Sequence, residues 1–117
     1  MSKRRRQRIE RHLAGAALLF AALADETRLT LLQRLSDAGP TSISTLAGSL
    51  GVMSRQALTK HLRVLADAGI VEGHREGREH LWALHPGGLA EAQRSLARIT
   101  RGWDDALSRL KSHVERT

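Results

Sequence analysis

Four polar side chains that can hydrogen-bond nucleic-acid bases fall on one side of a helical wheel drawn for residues 55–68. They are Gln56, Thr59, Lys60 and Arg63, with Asp67 beside them. The other side is mostly apolar and holds Ala57, Leu58, His61, Leu62, Val64 and Leu65. A Gln amide pairs with adenine, Lys and Arg bind guanine or phosphate, and Thr binds either. An ordinary amphipathic helix also has a solvated polar face, so this pattern alone leaves both interpretations open.

Start and stop signals around this stretch predict three successive helices. Asp25 is placed to cap the first, "ETRLTLLQRL", which "DAGP" ends with glycine and proline. Ser44 is predicted to cap a second helix, "TLAGSL". A tight turn at residues 51–53 follows, Ser54 caps the helix with the polar face, and Gly69 ends it.

After Gly69 the periodicity changes from helix to strand. "IVEGHREGREHLWAL" contains two short β-rich runs around Glu76 and Gly77, which predicts a hairpin. Two helices joined by a glycine turn and followed by a hairpin predict a helix-turn-helix with a wing. Proteins of this architecture place the outward face of the second helix in the major groove of DNA, which favours the nucleic-acid interpretation of the polar face.

The C-terminal part of the chain predicts one long helix with an apolar seam. Residues 86–88, Pro-Gly-Gly, are interpreted as a break before it. The seam then steps by threes and fours through Leu89, Ala92, Leu96, Ile99, Trp103, Ala106, Leu110 and Val114. This seam can pack against another long apolar helix. Trp103 is expected in that interface, and Trp82 in the core.

The segment Lys3–Arg28 permits two interpretations. A basic start, an apolar run over residues 13–24 and a small-x-small sequence before Asp25 resemble a secretory signal peptide. The same residues are consistent with a basic arm, residues 1–11, leading into a retained first helix. We favour the retained helix because its removal would expose the apolar seam of the last helix to water. An exported protein would instead have a mature N-terminus near Asp25.

Composition is that of one small globular domain with a basic start. The 117 residues are 41% apolar and 26% charged, with no cysteine, which excludes disulfides and thiolate metal sites. Residues 1–11 hold six of the Lys and Arg residues and a single Glu, within a formal net charge of +7. Such a segment suits nucleic acid or an anionic membrane surface, and equally a solubilising end.

Three stretches of the sequence resemble a known family. They are "FAALADETRLTLLQRL", "LAGSLGVMSRQALTKHLRVLADAGIVE" and "REGREHLWAL". Together they resemble the arsenic-resistance-repressor (ArsR) family of winged helix-turn-helix transcription regulators over residues 13–110. The resemblance implies a mainly α fold with a small β-hairpin, in the order α-α-α-α-β-β-α, that forms a homodimer through its first and last helices. It also implies a repressor that binds a palindromic operator and occludes polymerase.

On this hypothesis the predicted contacts to double-stranded operator DNA lie on two elements. The helix contributes Ser54, Arg55, Gln56, Thr59, Lys60 and Arg63, and the wing contributes His74, Arg75 and Arg78. The basic arm is a further candidate for phosphate or minor-groove contacts. His61 is expected to be packed rather than to act as a ligand.

Metal-sensing members of the family carry ligands that this sequence lacks. One site type uses a pair of cysteines where this chain has Ser42 and Ser44, and hydroxyls do not replace thiolates. The other uses Asp-x-His and His-x-x-Glu in the last helix, where the sequence reads "DDAL" and "HVER". His74 and His80, facing each other across the hairpin with His85 nearby, remain an alternative site. We favour solvent-exposed strand residues there and expect no metal.

The remaining expectations concern class and organisation. We expect no enzyme and no cofactor, because catalytic motifs are absent from the sequence. The predicted organisation is a basic arm at residues 1–11, a winged helix-turn-helix domain with dimerisation helices at 12–112 and a C-terminal end at 113–117. The protein is expected to be cytoplasmic, without a membrane partner and with no effector identified. The rival functions are a winged-helix module for protein interaction and a histidine-based metal sensor.

Overall fold

The computed structural model describes residues 2–51 and 53–116, and in this part of the chain helices dominate. The elements are α1 (Lys3–Leu23), α2 (Glu26–Ala38), β1 (Thr41–Ser42), α3 (Ile43–Leu50), α4 (Arg55–Asp67), β2 (Val71–Glu76), β3 (Glu79–Leu84) and α5 (Pro86–Arg116). The predicted order of four helices, a hairpin and a last helix is confirmed, with β1 added. The strands form an antiparallel sheet in the order β1-β3-β2.

A single apolar cluster holds the helices and the hairpin together. Its buried members come from α1, α2, α3, α4, the residue before β2 and the sheet: Leu19, Ala22, Leu31, Leu35, Leu46, Leu58, Leu62, Leu65, Ile70, Val71 and Trp82. Trp82 is only 7% exposed, as predicted. Leu19 and Ala22 make α1 part of this core, so the segment that resembles a signal peptide is built into the fold.

The helix-turn-helix is delimited by caps that the sequence largely predicts. The side chains of Asp25 and Ser54 accept backbone N–H bonds from Arg28 and Ala57, at 3.0 and 3.1 Å. The predicted cap at Ser44 is wrong: Ser42 caps α3, accepting from the Thr45 N–H at 3.2 Å. Both serines are good caps. The helix starts earlier because Ile43 packs against the core.

The predicted break at residues 86–88 is also wrong, because α5 begins at Pro86. Proline suits the first helical position, since its missing N–H would have no partner there. The imidazole Nδ1 of His85 accepts the Gly88 N–H at 3.1 Å, capping the helix. A Cβ on Gly88 would collide with the carbonyl oxygen of Gly69, so glycine at position 88 allows α5 to pack closely against the end of α4.

Both ends of the predicted domain fall inside helices. Residues 3–11 are the first turns of α1, started by a hydrogen bond from the Arg5 N–H to the Ser2 hydroxyl, rather than an arm separate from it. Residues 113–116 likewise continue α5. Arg, Lys, Gln and Glu are good helix formers, so high charge does not prevent a helix here. Met1, Thr117 and Val52 lie outside the described residues, and the turn predicted at 51–53 is therefore only partly described.

Candidate nucleic-acid interface

Helix α4 presents a polar face to solvent. Its Leu58, Leu62 and Leu65 are fully buried and fix the rotation of the helix. The opposite face exposes Arg55, Gln56, Lys60 and Arg63, with the cap Ser54 at its start. In the part of the chain that the structure describes, none of these three cations forms an ion pair with a carboxylate within 4.0 Å. Their charge is therefore available to an anionic partner.

Two residues of α4 differ from the helical-wheel prediction. Thr59 is half-buried, and its hydroxyl donates to the Arg55 carbonyl oxygen at 2.8 Å. Its oxygen lone pairs and methyl group remain for an external contact. Val64, predicted on the apolar side, is 40% exposed. The residues of α4 that belong to the core are the three leucines, with Ala66 packed against it.

The β2–β3 hairpin forms the wing, and its tip carries charges of both signs. Gly77 adopts φ of +63° in the turn, which places the tight turn at Gly77–Arg78. Glu76 pairs with Glu79 directly below it. Two carboxylates at the base of the turn reduce the positive potential that Arg75 and Arg78 create there.

The register of the hairpin separates the predicted wing residues. Arg75 pairs with His80, and His74 with Leu81, so Arg75 and His74 point to opposite faces of the ribbon. Arg78 lies in the turn itself. A partner that contacts one face of the hairpin can therefore reach Arg78 together with Arg75, or Arg78 together with His74, but not all three.

The same register rules out the alternative histidine site, and His74 and His80 are solvent-exposed strand residues, the interpretation that the sequence favoured. His74 and His80 lie on opposite faces, since strand residues one register step apart alternate. His80 instead stacks on Trp82, with ring centroids 4.9 Å apart. His85 lies 3.8 Å from Glu72 through its Nε2. Among residues 2–51 and 53–116, no group of three or more His, Asp or Glu side chains is arranged to hold a metal ion.

A cluster that the sequence did not predict lies behind the polar face. The guanidinium of Arg28, in α2, donates from Nε to the Ala22 carbonyl oxygen at 2.6 Å and from Nη2 to that of Ala21 at 3.3 Å. Its Nη1 lies 3.2 Å from Nδ1 of His61. His61 is thus packed, as predicted. The bond joins residues 33 positions apart in the chain, so no local pattern announces it.

Asp25 completes this cluster. One carboxylate oxygen lies 3.8 Å from Nη1 of Arg28 and the other 4.0 Å from Nδ1 of His61. The backbone N–H of Arg28, which Asp25 accepts, lowers the pKa of the carboxyl below its ordinary value of 3.8, and the positive charge of Arg28 adds to this. The carboxyl is therefore ionised at neutral pH, as a helix N-cap favours.

The basic start of the chain is a second cationic surface. Its six cations, all exposed on the first turns of α1, are Lys3, Arg4, Arg5, Arg6, Arg8 and Arg11. No helix in the described residues is long and apolar enough to cross a membrane.

Known proteins are similar to this chain in both fold and sequence. A family model described as a helix-turn-helix domain matches residues 23–74. The HTH-type transcriptional regulator Rv2034 of Mycobacterium tuberculosis is 39% identical over 89 residues, covering 76% of this chain and 78% of the relative. An ArsR-like transcriptional regulator from Rhodococcus sp. RHA1 superposes with a TM-score of 0.75 at 41% identity, covering 86% and 92% of the two chains. A crystal structure of another ArsR family regulator gives 0.65 at 33% identity, covering 81% and 93%.

The exposed face of α4 and the adjoining hairpin define a winged helix-turn-helix protein. With the likeness to regulators over most of its length, the chain belongs to the ArsR family and is a DNA-binding transcriptional regulator. The expected family is thereby confirmed. The family consists of regulators of transcription rather than enzymes.

Proposed function

We propose that the protein is a cytoplasmic, non-enzymatic repressor that binds a two-fold symmetric operator as a homodimer. The observation that carries this proposal is the exposed cationic face of α4, held outward by three buried leucines. On this account α4 is the recognition helix. Arg55, Gln56, Lys60 and Arg63 contact bases and phosphates in the major groove, with Ser54 and Thr59 beside them.

The hairpin adds contacts beside the groove. Arg75, Arg78 and His74 bind neighbouring phosphates or the minor groove, and their positive charge acts next to Glu76 and Glu79. Because Arg75 and His74 point to opposite faces, one of the two carries most of this contact. Arg78, at the tip, is available in either orientation.

Exposed apolar side chains on α1 and α5 support the homodimer. Trp103 is 72% exposed, and the seam residues Leu96, Leu110 and Val114 are exposed with it. Leu13 and Leu18 are exposed on α1. Monomeric proteins seldom leave so many large apolar groups in water along neighbouring helices, so a second copy of the chain is the natural cover.

The test combines assembly and DNA binding. Sedimentation equilibrium is expected to give a dimer, and a duplex taken from upstream of the protein's own coding sequence is expected to shift in a gel at low salt. Adding the protein to a transcription reaction on that template is expected to reduce the transcript. A stable monomer, or no shift at low salt, contradicts the proposal, and the latter favours a protein-interaction module. Increased transcription contradicts repression.

The histidine-based metal sensor has little support, because the register separates His74 from His80. A titration of zinc or nickel against operator affinity decides it, since a sensor must couple the two binding events. We expect operator affinity to stay constant in that titration.

A further inference from the structure

The guanidinium of Arg28, in α2, forms hydrogen bonds to two other helices, α1 and α4. Arg28 binds the last carbonyl groups of α1, which the proposed function places in the dimer interface. His61 belongs to α4, the proposed recognition helix, and is next to Lys60 in sequence. One guanidinium therefore connects the end of α1 with the middle of α4.

The end of α1 has a particular need for this guanidinium. Helix C-terminal carbonyls carry partial negative charge and lack intrahelical donors, and the last turn of α1 contains no basic residue of its own. Arg28 supplies the charge from α2, and it donates to the Ala22 carbonyl oxygen. The neighbouring Ala21 carbonyl oxygen accepts from the Ala24 N–H as well as from Arg28. Its side chain is only 16% exposed, so its bonds are largely shielded from water.

The chemistry of the pair fixes the direction of the hydrogen bond. Arginine is always charged and only donates, so Nδ1 of His61 must accept. The side chain of His61 is 24% exposed, between the core and the outward face of α4.

We propose that Arg28 and His61 are positioning residues that couple the end of α1 to the recognition helix, so that α4 keeps the orientation that operator binding requires. This inference rests on the proposed function. The coupling requires a hydrogen-bond acceptor at the δ position of residue 61. It requires neither the imidazole ring nor the volume of the His61 side chain.

Substituting asparagine or leucine at position 61 distinguishes the effect of the hydrogen-bond acceptor from the effect of side-chain volume. The two side chains are isosteric, and asparagine places its Oδ1 where Nδ1 lies, whereas leucine has no acceptor. Leucine has the higher helix propensity, so an effect on α4 stability alone predicts that leucine outperforms asparagine. The coupling predicts the reverse order for operator affinity.

The experiment measures the affinity of wild type, His61→Asn and His61→Leu for the upstream duplex and for a random duplex by fluorescence anisotropy. We expect His61→Asn to stay within about threefold of wild type and His61→Leu to lose about tenfold on the upstream duplex, which is about 1.4 kcal/mol. Affinity for the random duplex should fall by less than about threefold. Equal affinity of the two variants, or leucine above asparagine, overturns the proposal.

A double-mutant cycle gives a second route through Arg28. Arg28→Lys keeps the charge but has a single ammonium that cannot bond all three acceptors. We expect it to weaken operator binding about as much as His61→Leu, and the double variant to be no weaker than either single one. Additive losses overturn the coupling. Absence of any wild-type binding would instead refute the proposed function, so the two failures are distinguishable.

Discussion

At the scale of single residues, the exposed amide of Gln56 is the clearest candidate for reading a base. It lies on the face of α4 opposite the buried leucines and is exposed. An amide can bind adenine through two hydrogen bonds, which a phosphate contact cannot imitate. Lysine and arginine on the same face can serve either purpose, so they discriminate less well between the two kinds of contact.

Replacing Gln56 with alanine should cost about 1–3 kcal/mol of binding free energy on the operator. Binding to a random duplex should change little, because no base is read there. Competition titrations with both duplexes measure the difference. Gln93→Ala is the matched control, since Gln93 is likewise exposed but belongs to α5. Equal losses on the two duplexes would refute a base-reading role.

The carboxyl of Asp25 gives a prediction about pH. Its pKa is lowered in the folded protein by the Arg28 N–H and by nearby positive charge. A depressed carboxyl pKa stabilises the fold above the unfolded pKa, and this contribution is lost as pH falls through the folded pKa. Asparagine at this position would retain a capping oxygen without the charge.

Asp25→Asn should therefore lower the melting temperature at neutral pH, and the difference from wild type should shrink below pH 3.8, the ordinary value for the carboxyl. Thermal denaturation of both proteins from neutral pH down to the acid range below that value provides the measurement. Asp104→Asn, on the exposed part of α5, serves as control. A difference that stays constant over that range would mean that the charge of Asp25 does not contribute.

At the scale of elements, close packing fixes the relation between α5 and the body of the protein. Gly88 lies against the backbone of Gly69, where α4 ends. Gly69 has φ of +78°, a conformation that L side chains rarely adopt. The two glycines together allow α5 to start directly after the wing and to pack against the end of α4.

Gly88→Ala should destabilise the protein by about 1–3 kcal/mol, because backbone atoms of Gly69 have to move to admit the methyl group. Gly102→Ala, in the same helix with no neighbour within 4 Å, should instead stabilise by about 0.5–1 kcal/mol. Urea denaturation of the two variants compares them directly. Equal effects would contradict the close approach at residue 88.

The cationic first turns of α1 give a second prediction at this scale. If they bind phosphate, changing Arg4, Arg6 and Arg11 to glutamine should reduce the slope of log K against log salt by about 0.9 for each phosphate that is no longer neutralised. The matched control changes Arg101, Arg109 and Arg116, which are exposed on α5. Slopes measured by anisotropy at several salt concentrations should differ between the two variants. The same reduction in both would show an effect of net charge alone.

The sequence predicted the elements better than their junctions. Strong periodicity in α4 and α5, and the caps at Asp25 and Ser54, suffice to place those helices. The N-cap of α3 is Ser42 rather than Ser44 because Ile43 packs against the core. The capping preference of the two serines alone does not predict this. The hairpin was predictable, but which histidines share a face depends on a register that shifts with one residue of the turn.

The candidate site divides in the same way. Its exposed face follows from the helical wheel, because burial of three leucines fixes the rotation of α4. The cluster behind it did not follow, since Arg28 reaches His61 across 33 residues and two helices. Contacts of that kind are set by tertiary packing, and a single sequence carries no periodic signal for them.

At the scale of the whole molecule, one chain presents one copy of α4, the proposed recognition helix, and leaves a long apolar seam uncovered. The molecule measures 66 Å along its longest axis, and all of α5 from residue 101 to residue 116 is exposed. Packing two copies through α1 and α5 would bury these side chains and fix the distance between two α4 helices. The central claim is that this distance matches successive major grooves on one face of the duplex.

Methylation interference on the upstream duplex tests that claim most directly, because guanine N7 lies in the major groove. The account predicts two clusters of interfering guanines, related by two-fold symmetry, with centres about 10 base pairs or a multiple of that apart. A single cluster, or interference confined to the minor groove, would contradict it.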